Sequence, residues 1–346
     1  MKNLLSKKFS LAIASVVACA TPFGFISLTS CSKDNGKIQF ANFESYMDGS
    51  LQNYLEDEYD TQFQWFTVTE MIETKFKDTY DVAIPCGYEL SKLYKKGWLH
   101  KIEWDKFGID GAPQSLFSDK ALAAISQMNE MLKQYEGIPQ DFNVLDYGVP
   151  YFSQSFCFMY KGKELKFHSA LEPHNEVENP NWADIFYTIS PNCEYADRFG
   201  GKTGMLDDAK SLYDMARIVQ TIEANPDDST KWTNQMPNGS SIDDLKQTFK
   251  SLTTKAQNNW YRLSTDSGQI ARILADHSDH GYSAAMSWSG DALYAAQGAG
   301  EYESYTGDQM HTVKPVGVSL DEIDFIVINN KNNNNICGIK LNTANK

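Results

Sequence analysis

Short apolar runs alternate with helical patterns along the first part of the chain. The runs cover 38–42, 62–68 and 81–85, and helical patterns cover 51–59 and 70–76. Each run is brief and rich in apolar or aromatic residues, as is expected of strands in a mainly parallel sheet with helices on both faces. The alternation therefore predicts an α/β fold.

The pattern changes near 149–151, and an apolar run over 156–160 begins a second set of elements. Three further strands and three helices are predicted there: strands over 203–206, 282–288 and 324–329, and helices that begin at Asp208, Ser241 and Asp291. The predicted divisions, in chain order, are a signal peptide at 1–30, a tether at 31–37, lobe 1 at 38–150, lobe 2 at 151–323, and a return strand to lobe 1 with an asparagine-rich tail at 324–346.

A positively charged start and a long apolar run open the chain. Lysines at positions 2, 7 and 8 precede an apolar run over 9–28, which is the arrangement of an export signal. The run ends in Leu28-Thr29-Ser30-Cys31, a pattern similar to a bacterial lipobox, in which the cysteine receives a diacylglycerol. A signal anchor is the alternative, because about 20 apolar residues suffice to span a bilayer. We predict a lipoprotein, with palmitate at Cys31, on the outer face of the bacterial cell membrane.

The charge balance of the chain limits its partners. The 346 residues carry a formal net charge of −14 at pH 7. An acidic surface repels nucleic-acid phosphates, so we predict no nucleic-acid partner. The same charge is compatible with a cationic ligand, although most acidic residues of a globular protein are simply solvated.

Four cysteines of the predicted mature domain are widely spaced, at Cys86, Cys157, Cys193 and Cys337. No CxxC pair occurs among them, so neither a zinc site nor a disulfide framework is indicated. One disulfide among the four remains open at this stage.

One segment offers an alternative in enzyme chemistry. His277-Ser278-Asp279-His280 places two imidazoles three residues apart, which on one helix face would hold a metal with Asp276 or Asp279. The other interpretation is a polar helix end or loop, and we favour it because no third ligand follows at a recognised spacing. The sequence also lacks a GxSxG elbow and a phosphate-binding glycine loop. We therefore predict no metal, no cofactor and no enzymatic activity.

Seven segments between 38 and about 329 resemble one protein family. Among them are Tyr80-Asp81-Val82-Ala83-Ile84-Pro85 and Trp288-Ser289-Gly290-Asp291-Ala292. In order and spacing, the segments resemble the spermidine/putrescine-binding proteins of polyamine ABC transporters, and they cover 38–46, 80–85, 93–99, 146–151, 181–184, 207–209 and 288–292.

The resemblance implies a two-lobe, type II periplasmic-binding-protein-like fold of the venus-flytrap kind. The protein is then expected to capture a polyamine between its lobes and to deliver it to ABC permease and ATPase subunits. Members of the family normally continue for several tens of residues after the second crossover. The resemblance therefore implies that the C-terminal part of lobe 1 is missing here, with reduced stability or a partner chain as the expected consequence.

Residues of the predicted binding site follow from the same resemblance. A polyamine requires carboxylates at fixed separations for its ammonium groups and aromatic walls for its alkyl segments. Tyr46, Tyr88 and Trp288 match the aromatic wall residues of the family, and Asp208 and Asp324 match its amine-binding carboxylates. Each also has an ordinary structural interpretation, such as a core aromatic residue or a helix-capping acid.

Four predicted site positions depart from the family pattern. Phe43 stands where tryptophan is usual, and Cys86 replaces a serine. Ser211 stands where an acidic residue is usual, which removes one amine contact. Glu322 stands where tryptophan is usual, and its carboxylate is the alternative source of that contact.

Two other functions remain open: binding of another small cationic or polar solute, and a surface lipoprotein that has lost its transport function.

Overall fold

A mixed β-sheet runs through the computed structural model of the chain. The model describes residues 36–43, 46–66, 70–109, 113–235, 237, 240–278, 280–305 and 309–330. The predicted signal peptide, the predicted lipidation site Cys31 and the asparagine-rich tail lie outside the described residues.

Eleven strands occur in the described part of the chain. They are β1 (Ile38–Phe43), β2 (Thr61–Phe66), β3 (Val82–Ala83), β4 (Gly148–Lys161), β5 (Phe167–His168), β6 (Glu176–Val177), β7 (Thr203–Leu206), β8 (Arg262–Ser264), β9 (Ala284–Trp288), β10 (Met310–Val313) and β11 (Asp321–Ile328).

The α-helices of the described residues cover the sheet and connect its strands. They are α1 (Gly49–Tyr59), α2 (Glu70–Lys75), α3 (Leu90–Lys95), α4 (Asp119–Leu132), α5 (Trp182–Thr188), α6 (Ala196–Phe199), α7 (Ala209–Ala224), α8 (Ile242–Gln257), α9 (Ser267–Ala275) and α10 (Ser289–Ala296).

The main sheet has the strand order β2-β1-β3-β11-β4-β9-β7-β8, with β10 also paired to β4. The pairs β1–β2, β1–β3, β7–β8 and β7–β9 are parallel, as the alternation of strands and helices predicts. Every pair that involves β4 or β11 in this sheet is antiparallel. The expectation of a mainly parallel sheet is therefore wrong, because β4 and β11 cross the centre of the sheet in opposite directions.

The strand β4 belongs to both halves of the sheet. Its first part, Gly148 to Ser155, pairs with β11, and its second part, from Phe156 to Tyr160, pairs with β9. The register between β4 and β11 shifts immediately after Asp324, and such irregularities bend a strand and redirect its side chains. The two crossing strands thus join one half of the sheet to the other.

Two hydrophobic cores lie on either side of this crossing. The first core contains residues between Ala41 and Leu145, together with Ile323, Phe325 and Val327 of β11. The second core contains residues between 156 and 320. The predicted lobe boundaries remain a prediction, because the described residues from Ile38 onward form one compact unit.

Local signals in the sequence explain several helix ends. The side chains of Ser241 and Asp244 exchange hydrogen bonds with each other's backbone and form a capping box at the predicted start of α8. Gly97 follows α3 with a φ of +67°, a conformation that glycine adopts without strain.

The His277 segment does not form a helix face. Helix α9 ends at Ala275, so His277 and His280 lie in the connection that follows it. The imidazole Nε2 of His277 lies 2.9 Å from the carbonyl oxygen of Glu303. The interpretation of this segment as two imidazoles on one helix is therefore wrong. The described residues include no cluster of three His, Cys, Asp or Glu side chains that would hold a metal ion.

No disulfide joins the described cysteines, and Cys157 and Cys193 are buried. Burial raises the pKa of the Cys157 thiol to about 12, so it remains protonated at neutral pH. Among the described helices, none combines the length and the hydropathy needed to cross a bilayer.

Candidate functional site

Two buried carboxyl groups lie at the crossing of β4 and β11. Glu322 and Asp324 are two residues apart on β11, so their side chains point to the same face of the sheet. Their exposed fractions are 3% and 0%. Acidic residues are almost never buried to this degree without partners, because desolvation penalises the charged form. This pair is therefore the starting point for the site.

Asp324 has an incomplete set of partners. Gln154 of β4 donates its Nε2 to Oδ2 of Asp324 at 3.5 Å, whereas Oδ1 has no hydrogen-bond partner in the described part of the chain. Burial, and then the charge of Glu322, raises the pKa of Asp324 to about 8. The Cys86 thiol acts in the opposite direction as a weak hydrogen-bond donor to this carboxyl group. A cation placed beside Asp324 would lower this pKa and favour the ionised carboxylate.

Glu322 is held by backbone groups of the segment that follows β3, the strand next to β11. The amides of Gly87 and Tyr88 donate hydrogen bonds to its carboxylate. Burial nevertheless raises the pKa of Glu322 to about 7. A Cβ atom at Gly87 would lie 2.7 Å from the carbonyl oxygen of Ile323, so this close approach requires glycine. The loop after β3 thus meets β11 at Glu322.

A lysine lies beside Glu322. The Lys210 Nζ is 3.0 Å from Oδ2 of Asp214 and 4.0 Å from Oε2 of Glu322. It also lies 5.7 Å from the centroid of the Tyr88 ring, within the range of a cation–π contact. Burial lowers the pKa of Lys210, but the charges of Asp214 and Glu322 outweigh this effect and raise it. Lys210 is therefore an ammonium ion at neutral pH.

Tyr46 connects the first core to the crossing strands. Its hydroxyl accepts a hydrogen bond from Nε2 of Gln154 at 3.0 Å, and its carbonyl accepts one from the Tyr151 hydroxyl at 2.6 Å. Burial, with the charges of Asp324 and Asp291, raises the pKa of Tyr46 well above its usual value. Gln154 thus contacts both the Tyr46 hydroxyl and the Asp324 carboxyl group.

Asp208 and Ser211 are bound to each other at the start of α7. Asp208 accepts hydrogen bonds from the Ser211 amide at 2.8 Å and from its hydroxyl at 2.7 Å. This is the ordinary role of an N-cap residue. The negative charge of Asp208 also raises the pKa of Lys210. Asp208 therefore combines helix capping with a place in the electrostatic field around Lys210.

Phe43 packs against the first hydrophobic core and Trp288 against the second. The Phe43 ring packs against Tyr46 at 5.0 Å and against Phe66 at 4.3 Å between ring centroids. The Trp288 ring packs edge-on against Phe156, its register partner on β4, at 5.2 Å. Both are half-buried.

The structure brings some predicted site residues into direct contact and places others nearby. Cys86, Tyr88, Glu322 and Asp324 form one group around β11, and Tyr46 joins this group through Gln154. Asp208 and Ser211 bond to each other, and Phe43 and Trp288 are supporting aromatic residues.

Sequence reasoning missed four polar residues of this region, namely Gln154, Lys210, Asp214 and Asp291. Lys210 and Asp214 are spaced as an i, i+4 ion pair on α7, a signal that was present in the sequence. Asp291 is buried and accepts a hydrogen bond from the Ser287 hydroxyl at 2.6 Å. Burial raises its pKa, although Ser267 and the Trp288 amide also donate hydrogen bonds to it.

Solved structures with the same fold include proteins with different ligands. A Listeria monocytogenes protein described as a spermidine/putrescine ABC transporter is 18% identical, with 85% of this chain and 72% of that chain covered and a TM-score of 0.53. The Tp0655 (TpPotD) lipoprotein of Treponema pallidum is 16% identical, with 86% and 76% covered and a TM-score of 0.53. An ABC transporter solute-binding protein of Thermotoga lettingae, bound with α-D-tagatose, is 13% identical, with 87% and 74% covered and a TM-score of 0.52.

These similarities confirm the predicted periplasmic-binding-protein-like α/β fold, and at such identities they establish the fold alone. Comparison with curated proteins gave no significant match. A family model described as hypothetical lipoprotein (MG045 family) matches residues 2–338, which is nearly the whole chain. The chain therefore belongs to the MG045 family of hypothetical lipoproteins.

Proposed function

We propose that this protein is the extracytoplasmic solute-binding lipoprotein of an ABC importer, and that its solute is a small organic cation. Spermidine and putrescine are the first candidates, because the sequence resembles proteins that bind them. Solute capture between the two predicted lobes would stabilise a closed shape that the permease recognises. A separate ATPase subunit would supply the energy, and lipid at Cys31 would hold the protein near the permease.

The observation that carries this proposal is the buried carboxyl group of Asp324. It is fully buried, and its Oδ1 lacks a hydrogen-bond partner among the described residues. A charge-assisted hydrogen bond from an ammonium group would satisfy this oxygen. The Tyr46 ring nearby would cover the alkyl part of the same ligand and contribute a cation–π contact.

A neutral polar solute is the alternative within the same fold. The tagatose-bound relative has this fold, so the fold does not exclude a sugar. A sugar would, however, leave the charge of Asp324 uncompensated, or would require this group to stay protonated, whereas Glu322 already lies beside Lys210. The acidic character of the site therefore favours a cation.

Native mass spectrometry of protein purified without denaturation tests the proposal directly. We expect a retained small molecule whose mass corresponds to an organic amine. Calorimetric titration should then show binding of spermidine or putrescine that weakens as the salt concentration rises. D-Tagatose serves as the neutral control and should not bind.

Two outcomes would contradict the proposal. Binding of the sugar without binding of either amine would replace the cation with a neutral solute. If the protein unfolds cooperatively, and is therefore folded, but binds none of the three compounds, a surface lipoprotein without a transport function is favoured.

A further inference from the structure

Lys210 occupies a position with the chemistry of an amine-binding site. Its ammonium group is 3.0 Å from Asp214 and 4.0 Å from Glu322, and it faces the Tyr88 ring at 5.7 Å. The charge of Asp208 adds to the field at the same ammonium group. Carboxylates on one side and an aromatic face on the other are the groups that bind an alkylammonium ion.

Lys210 pairs with Asp214 and Glu322, and not with Asp324, the other buried carboxyl group of β11. Asp324 is fully buried, and its Oδ1 has no hydrogen-bond partner in the part of the chain that the structure describes. Gln154 approaches its Oδ2 at 3.5 Å, near the long limit for a hydrogen bond. One oxygen of each β11 carboxyl group lacks a hydrogen-bond partner among the described residues. The two groups differ because, within the described part of the chain, a lysine ammonium group lies 4.0 Å from Glu322 but none pairs with Asp324.

We propose that Lys210 is a specificity-determining residue that competes, from within the protein, with a second ammonium group of the solute. This inference rests on the proposed binding of an organic cation. An amine with one ammonium group binds at Asp324 and leaves Lys210 in place. A diamine brings a second ammonium group toward Glu322 and must displace the Lys210 side chain or tolerate its repulsion.

The side chain of Lys210 is able to respond to such a ligand. It is half-buried, with 38% of its side chain exposed, and its four-carbon stem has several rotatable bonds. Its partner Asp214 is on the same helix, four residues later, so Lys210 can turn toward Asp214 and keep one ion pair. Lys210 would thereby reduce the advantage of a diamine over a monoamine.

Calorimetric titration of two amines with the same chain length tests this inference. The probes are 1-aminobutane and 1,4-diaminobutane, titrated at pH 8 into the purified wild-type protein and Lys210→Met. We expect the substitution to strengthen diamine binding by about tenfold or more, since it removes one competing charge beside Glu322. Monoamine binding should change by less than about threefold, because the monoamine does not reach this position.

Two further variants separate this effect from a change in folding or surface charge. Lys210→Arg keeps a cation at the position and should not strengthen diamine binding. Lys246→Met removes an exposed lysine that pairs with Asp243 on α8, and it should leave the ratio of the two affinities as in the wild type. Thermal unfolding of each variant verifies that the proteins compared are folded.

The outcomes distinguish this inference from the proposed function. If folded Lys210→Met binds the monoamine normally but binds the diamine no more tightly than the wild type does, the proposed competition by Lys210 is wrong. The proposed binding of an organic cation would stand. A diamine gain of the same size in Lys210→Arg would also overturn it, because the cation would then not be responsible. Absence of binding of both amines to every protein would refute the proposed function itself.

Discussion

Glu322 and Asp324 lie two residues apart on the same face of β11, and both carboxyl groups are buried where β11 crosses β4. The amides of Gly87 and Tyr88 and the ammonium group of Lys210 compensate the first carboxylate. One oxygen of each group has no hydrogen-bond partner among the described residues, but no described lysine pairs with the second carboxyl group, and its pKa is the higher of the two. We therefore expect the ionisation of Asp324 to affect both the stability of the protein and its binding of a cation.

The free protein should become less stable as the pH rises. The pKa of Asp324 in the folded state, about 8, is higher than that of an aspartate in the unfolded chain. The folded state therefore binds this proton more tightly, and the resulting stabilisation is lost as the pH rises from about 4 to about 8. Asp324→Asn mimics the protonated form and should increase the free energy of unfolding at pH 8 by about 1–3 kcal/mol.

Thermal unfolding at several pH values checks this prediction, and a neighbour on β11 supplies the control. Burial alone would raise the pKa of Asp321, but hydrogen bonds from Lys314 and Ser155 outweigh it and lower this pKa. Asp321→Asn should therefore destabilise the protein at pH 8 and have less effect near pH 4. A lower unfolding temperature of Asp324→Asn at pH 8 would contradict the assignment of an uncompensated carboxyl group.

Amine binding should release a proton near neutral pH. Asp324 is mostly protonated at pH 7, and an ammonium group beside it would lower its pKa. We expect the release of up to about one proton per amine bound, and an affinity that rises as the pH increases toward 8. Calorimetry in two buffers with different ionisation enthalpies measures the proton release. The release should disappear above about pH 9, where the carboxyl group is already ionised; a pH-independent release would contradict the role of Asp324.

Asp208 should contribute separately to helix capping and to amine binding. Asp208→Ala removes the acceptor for the Ser211 amide and should cost about 1 kcal/mol of stability, with weaker amine binding. Asp208→Ser retains an N-cap oxygen but not the charge, so it should restore stability without restoring the affinity.

A second capping residue provides the comparison for this pair of variants. Ser241 caps α8 through its hydroxyl and the Asp244 amide, and it is exposed. Ser241→Ala should lose a similar stability with unchanged amine binding. Full restoration of amine affinity by Asp208→Ser would mean that Asp208 acts through the helix alone.

Lipidation should depend on the cysteine at the end of the apolar run. Cys31→Ser removes the thiol that would receive the lipid. The variant should therefore not be labelled by a palmitate analogue and should not be held at the membrane by lipid. Cys193→Ser, at a buried position, is the control and should be labelled as the wild type is. Labelling of Cys31→Ser at the wild-type level would contradict the lipobox interpretation.

Local patterns predicted much of the fold. The strand β7 has the bounds expected from its sequence, and helix α8 begins directly after Ser241, as predicted. The mixed sheet was not predicted, because the directions of β4 and β11 depend on pairing between distant parts of the chain. Sequence periodicity carries no information about that pairing.

The candidate site was predictable only in part. The resemblance to polyamine-binding proteins indicated Tyr46, Tyr88 and Asp324 as site residues, and their role in binding stays a prediction. The position of Lys210 was not predictable, since its distance from Glu322 depends on how α7 packs against β11. The unequal environments of the two carboxyl groups likewise arise only from the folded arrangement.

A crystal structure of the protein with bound 1-aminobutane or putrescine tests the central claim most directly. The account predicts a nitrogen atom of the ligand within hydrogen-bond distance of the Asp324 carboxylate and alkyl carbons against the Tyr46 ring. A ligand bound at another place on the protein, with the Asp324 carboxyl group still unpaired, would contradict it.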